Sequence, residues 1–178
     1  MNRKLLVVVV TLLSLGTLGF TQNRDQPSAK AQERIIREVR HELLMLPYFG
    51  VFDNIAFRVD GYTVTLLGQV VRPSLKSDAG NAVKHIEGVE KLDNQIEVLP
   101  TSPMDDRLRL ELYRAIYAYP ALEKYALGVQ KQIRIIVKNG HVALEGVVDN
   151  EGDKNLAGLR ANGVPGIFSV DNNLRVEK

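Results

Sequence analysis

The sequence predicts an α+β protein built as two tandem αββαβ lobes, each a three-stranded mixed sheet with two helices on one face. Three observations lead there. Residues 88–98, GVEKLDNQIEV, return as residues 166–176, GIFSVDNNLRV, 78 positions on. The same offset pairs Val59 with Val137, Val64 with Val142, Leu66 with Leu144, Gly68 with Gly146, Val70 with Val148 and Ala79 with Ala157, and 12 of the 40 positions from 59 to 98 are identical. These agreements fall on apolar and glycine positions, where a fold dictates residue type, so the chain is an internal repeat. Within each copy the apolar spacing passes from helical to alternating and back. Between the copies, residues 100–103, PTSP, form a short stiff linker. A lobe of this size buries only about 60% of its unfolded surface, so the two are expected to lean on each other.

The chain opens on a leader. Arg3 and Lys4 precede an apolar run, residues 5–15, interrupted only by Thr11 and Ser14, so residues 1–21 read as a secretory signal peptide. Small residues fit cleavage loosely after Phe20 and well at Ala29-Lys30-Ala31. An uncleaved anchor is the alternative, although residues 5–20 fall short of the about 20 apolar residues that a span requires. No cysteine follows the run, which excludes bacterial lipidation. Residues 22–31 are a polar tether or the start of a helix that Ser28 can cap. The expected location is the periplasm.

Residues 32–99 make the first lobe. Ile35, Val39, Leu43 and Leu46 recur at i, i+4, i+8 and i+11, one face of a helix that must stop by Pro47. The second copy repeats that face as Leu108, Leu112, Ile116 and Tyr119 before Pro120, at an offset of 73. The growth of the offset from 73 to 78 places a five-residue insertion between Leu122 and Val137. Strand-like runs at 55–59 and 63–71 flank Asp60-Gly61, and runs at 133–137 and 142–148 flank Asn139-Gly140, so each lobe has one hairpin. Gly68 and Gly146, inside the second strand, mark a bulge or a close backbone approach. Pro73 suits the first turn of a second helix with Ala79, Val83 and Ile86 inward. Its counterpart is capped by Asn150 or Asp153 and turns Leu156, Leu159 and Ala161 inward. Residues 89–98 and 167–176 close each lobe as strands reached through that helix, which makes the sheet mixed. The second lobe, residues 104–178, begins at once after Ser102 and Pro103.

Composition removes several chemistries. Lys and Arg number 23 against 21 Asp and Glu, and without Arg3 and Lys4 the balance is even, so no basic field exists to hold nucleic acid. The absence of cysteine excludes thiol catalysis, disulfides and zinc-thiolate sites. His41, His85 and His141 fall on a first helix, a second helix and a hairpin turn, without i, i+4 pairing. They read as surface residues, and no metal or other cofactor is expected. Asp105 and Asp106 start a helix, where free amides favour negative charge, so capping explains them better than acid–base work. No nucleophile elbow, Walker loop or dinucleotide fingerprint occurs, and the glycines of residues 158–166 lie at the end of a helix, the wrong end for phosphate. An enzyme is not expected, and no catalytic residue is assigned.

The αββαβ order, the Val-x-Leu-x-Gly-x-Val pattern of Val64, Leu66, Gly68 and Val70 and of Val142, Leu144, Gly146 and Val148, and the Asp-Asn before each final Val resemble the BON domain family. The resemblance covers residues 31–178 as a tandem pair. It implies a bacterial, largely periplasmic or envelope-associated protein, linked to osmotic stress and envelope integrity, that contacts phospholipid or protein surfaces without catalysis. The chain departs from the plainest pattern at the five-residue insertion and at Leu67, where an outward polar residue is more usual.

One stripe remains unassigned. On the helix that starts at Pro103, Leu110, Tyr113 and Tyr117 fall within about 60° of one another, with Arg107 and Arg114 on one flank and Arg109 on the other. The first-lobe positions are Arg37, Arg40 and Leu44, so the aromatic character belongs to one copy. Two readings follow. Either the stripe packs under the other lobe, or Arg107, Leu110, Tyr113, Arg114 and Tyr117 form a lipid- or partner-binding face, with tyrosines at headgroup level and arginines over anionic lipid. The expected function is a module that binds the anionic membrane surface and supports envelope integrity or stress tolerance; the alternative is a soluble periplasmic chaperone or scaffold that holds envelope proteins.

Overall fold

The computed structural model describes residues 28–127 and 131–177. The leader and residues 22–27 of the tether lie outside the described residues. The first lobe runs α1 (Ala29–Leu44), β1 (Asn54–Asp60), β2 (Thr63–Val70), α2 (Pro73–Lys84), β3 (Lys91–Asn94) and β4 (Glu97–Val98). The second runs α3 (Pro103–Tyr117), a 3-10 turn (Glu123–Ala126), β5 (Ile133–Lys138), β6 (His141–Val148), α4 (Glu151–Asn162), β7 (Ser169–Asn172) and β8 (Arg175–Val176). Both sheets have the same order, with the middle strand antiparallel to its hairpin partner and parallel to the strand reached through the helix.

The expected third strand is broken in each lobe. After Asn94 the chain leaves the ladder for two residues and rejoins β2 as β4, and after Asn172 it rejoins β6 as β8. The repeated asparagine makes the break. Asn94 donates to the Lys76 carbonyl of α2 at 2.9 Å and accepts from Ile96 N–H, while Asn172 donates to the Lys154 carbonyl of α4 at 2.7 Å and accepts from Leu174 N–H. Gly80 and Gly158 give these amides room, since a Cβ at either would stand 2.8 Å from the asparagine Nδ2. The strand-interior glycines have an equally local cause. Gly68 and Gly146 hold φ of 113° and 122°, and a Cβ there would meet the carbonyl oxygens of Asn54 and Gln132.

Caps and turns follow the sequence. Ser28, Ser102 and Asn150 accept from the backbone three residues on, and Pro73 and Pro103 occupy the first helical turn. Asn139 and Gly140 both have positive φ in the second hairpin turn. Asp105 does more than meet a helix dipole: fully buried, it accepts from Asn139 N–H and Gly140 N–H and ties that turn to α3.

Each lobe has its own core under the helices. Ile35, Val39, Leu43, Leu66, Ala79 and Val83 lie in the first, and Leu108, Leu112, Ile116, Leu144, Ala157 and Ala161 in the second. Three expectations about inward positions fail. Leu159 is exposed, as is Asn81 at its place in the first lobe, because this position of the helix points away from the sheet. Tyr119 is exposed and Tyr117 is buried, the reverse of the expected pair. Helix α3 ends at Tyr117, so helical spacing no longer governs residue 119. Arg109, expected on a surface flank, is buried: it donates to the Val137 carbonyl at 2.7 Å and pairs with Asp106.

Candidate functional site

The stripe of α3 divides in two. Arg107, Leu110 and Arg114 stand in solvent, Leu110 at 53% exposure. Arg107 is partly neutralised by Glu111 at 3.7 Å. The tyrosines turn inward. Tyr117 is 5% exposed and its hydroxyl donates to the Ile133 carbonyl, and burial holds its phenol well above the ordinary range. Tyr113 is partly buried, 5.0 Å from the Tyr117 ring and edge-on to Phe52 of the first lobe at 6.4 Å. Of the two readings of the stripe, its tyrosines take the packed one, because the connection after α1 in the first lobe lies over them.

That connection, residues 48–53, is the joint between the lobes. Asp53 shapes it: the buried carboxylate accepts from Gly50 N–H at 2.9 Å and from Val71 N–H at 2.8 Å, closing a tight turn. The turn presents backbone to the outer edge of β5. Ile135 N–H donates to the Val51 carbonyl at 2.9 Å, and Arg134 donates to the Gly50 carbonyl at 2.7 Å while its guanidinium lies 4.5 Å from the Phe49 ring centroid. Val51 and Phe52 pack on the second lobe's core. Lys138 and Glu97 add an ion pair at 2.6 Å, exposed enough to contribute little. One lobe thus lends the other an edge pairing and an apolar cover.

The same place on the first lobe is different. Ile36, Arg37, Arg40 and Leu44 line α1 where the second lobe has its tyrosine stripe, and β1 ends its sheet. An open cleft of about 630 Å³ separates this edge from Glu145, Gly146 and Arg175 of the second lobe. Sequence reasoning offered packing of this stripe under the other lobe as one of two readings, but it found neither the connection that makes the joint nor the cleft. The available signal was the exchange of Tyr113 and Tyr117 for Arg40 and Leu44 between copies, which marks one site as filled and the other as polar-rimmed.

The histidines do not converge: His85 bonds to the Asn81 carbonyl of its own helix and His141 to Ser169. Among the described residues no group of three or more His, Asp or Glu is placed to hold a metal, and no helix is long and apolar enough to cross a membrane.

Comparison with known proteins finds the same repeat. A family model, the BON domain, matches twice, over residues 31–100 and 105–178. No curated protein matches the chain. Among solved structures, the C-terminal domain of CdsD, a structural protein of the type III secretion system of Chlamydia trachomatis, is similar at 14% identity, covering 81% of this chain and 98% of that one with a TM-score of 0.29. A second CdsD structure is similar at 13% identity over 82% and 94%, also with a TM-score of 0.29.

Proposed function

The chain belongs to the BON domain family, with two copies across most of its length, and from that premise we propose that it is an exported, non-catalytic protein of the cell envelope that holds protein partners on a two-lobed scaffold. The observation that carries this reading is that Tyr113 is partly buried against Phe52 at the joint, with Tyr117 buried beside it. The aromatic half of the stripe is thus taken up inside the molecule, Tyr113 against the first lobe's Phe52 and Tyr117 against the Ile133 carbonyl. Support for envelope integrity or stress tolerance then comes from the partners held.

A weaker membrane-surface reading keeps one specific observation in its favour: Leu110 stands exposed between Arg107 and Arg114. Each arginine near anionic lipid contributes about 1 kcal/mol. Without tyrosines at headgroup level, attachment through this patch is shallow and salt-sensitive.

The experiment joins two arms. The chain with its leader is expressed in cells, recovered by osmotic shock and cross-linked in place. The purified protein is sedimented with anionic and zwitterionic vesicles. Protein adducts in the shock fraction, with little sedimentation at moderate salt, are expected. Anionic sedimentation that is lost in an Arg107→Glu, Arg114→Glu variant, without adducts, replaces the scaffold reading with the membrane one.

A further inference from the structure

The two lobes carry matching strand edges, and among the described residues only that of the second lobe is covered. In the second lobe Ile133, Ile135 and Val137 are all 0% exposed, because Val51 and Phe52 pack over that core and the Ile135 N–H is spent on the Val51 carbonyl. In the first lobe Ile55, Phe57 and Val59 hold the matching places: Phe57 faces Leu66 across the hairpin as Ile135 faces Leu144. All three are only partly buried. Since β1 ends its sheet, the backbone groups at its outer edge face the cleft, whereas the outer edge of β5 meets residues 50–52.

The open copy also has its own chemistry. Arg40 stands where the second lobe has Tyr113, Arg37 where it has Leu110, and Ala56 where it has Arg134. The cleft continues along α1 past Ile36 and Arg40 to a hollow bounded by Arg37 and His41. Among the described residues no carboxylate pairs with Arg37, Arg40 or Arg175. Glu145, the acidic side chain at the cleft, already accepts from Asn173 Nδ2 at 2.7 Å. The result is an apolar floor, a strand edge to one side and a cationic rim.

We propose that the edge of β1 takes an extended acidic segment of a partner protein, with its backbone paired to β1, an apolar side chain against Ile36 and Phe57, and carboxylates against Arg37 and Arg40. This rests on the scaffold reading and names the site and the partner chemistry. The molecule supplies the template, because residues 50–52 treat β5 in this way. Alternation along an extended chain sends apolar side chains to the floor and acidic ones to the rim, while edge pairing supplies affinity that does not depend on sequence. A bilayer fits less well, since its surface cannot enter a cleft between two lobes to meet the backbone of β1.

The test uses the whole exported chain, labelled with nitrogen-15, and two synthetic peptides, one alternating valine with glutamate and one alternating valine with lysine. Amide shifts at Ile55, Phe57 and Val59 are expected with the glutamate peptide, bound about tenfold more tightly than the lysine peptide at low salt. An Arg37→Glu, Arg40→Glu variant reverses that order; both side chains are exposed, so the fold is kept. Shifts elsewhere, an unchanged order in the variant, or no binding of either peptide overturns the site. Sedimentation with phosphatidylglycerol vesicles that the same variant abolishes assigns the rim to lipid and overturns the peptide. If the peptides fail while cross-linked adducts persist in cells, the site is wrong and the scaffold reading stands; if the adducts are also missing, both fall.

Discussion

The Asp53 carboxylate, 5% exposed, accepts two backbone N–H groups and so fixes the turn that offers Gly50 and Val51 carbonyls to the second lobe. Asp53→Ala leaves the Gly50 and Val71 amides without their acceptor, at a cost of about 1–3 kcal/mol of unfolding free energy, read as a lower midpoint in urea. Gly146→Ala costs more than Gly152→Ala in the same assay. A Cβ at Gly146 collides with the Gln132 carbonyl oxygen, a backbone atom, whereas at Gly152 it meets only the Asn150 side chain at 3.0 Å. Equal costs would remove the close-approach account of the strand glycines. These glycines were legible in the sequence because their cause is local and repeated at one offset. The exchange at Tyr117 and Tyr119 was not. The first lobe buries Leu46 and exposes Leu44, the second buries Tyr117 and exposes Tyr119, and the difference depends on where α3 stops and on Phe52 arriving from the other lobe.

At the scale of elements, the longer connection of the second lobe, which carries the five-residue insertion between Leu122 and Val137, replaces a function of Asp53. In the first lobe Val71 N–H is satisfied by Asp53; at the matching position Asp149 N–H donates to the Tyr125 hydroxyl at 2.8 Å, and Lys131 stands in the place of Asp53. The 3-10 turn brings Tyr125 into the core, where its hydroxyl donates to Asp153 at 2.6 Å, and Lys124 pairs with Asp149 and Asp153. The offset change located this insertion, but its purpose depends on contacts across some 24 residues that no periodicity encodes. The hydrogen bonds from Lys124 and then Tyr125 hold the Asp153 carboxyl below its ordinary range. Its folded pKa lies under the unfolded one, so the stabilisation is complete above the unfolded carboxylate range and is lost as pH falls through the folded value. Unfolding midpoints measured downward from neutral pH should therefore drop less steeply in Asp153→Asn than in the natural protein. Tyr125→Phe, which strands the Asp149 amide, costs about 1–3 kcal/mol at neutral pH. A parallel acid limb in both proteins would show that the network does not contribute.

At the scale of the whole molecule, the repeat and its order were plain from the duplicated pattern and the aromatic stripe marked one copy as different, but the one-way joint was not legible, because it arises from contacts between unlike residues far apart in the chain. Arg134 reaches Gly50, 84 positions away, and its counterpart Ala56 reaches nothing of the kind. The joint therefore runs one way, from the connection of the first lobe to the helix and edge strand of the second. Its apolar part rests largely on Phe52, which meets Tyr113 edge-on and packs on the second core. Phe52→Ala removes that cover and leaves each lobe's own core and hairpin in place, so the effect should be local opening at the joint ahead of global unfolding. Native-state hydrogen exchange reads this directly, because the Ile135 N–H is protected by an acceptor in the other lobe. In Phe52→Ala the Ile135 amide should exchange about tenfold faster or more, the equivalent of losing at least about 1.4 kcal/mol of local stability. Val64 and Leu66, within the first lobe's sheet and away from the joint, should keep their rates. Uniform acceleration in both lobes would mean that the pair unfolds as one cooperative body, and unchanged exchange at Ile135 would mean that Phe52 does not hold the joint.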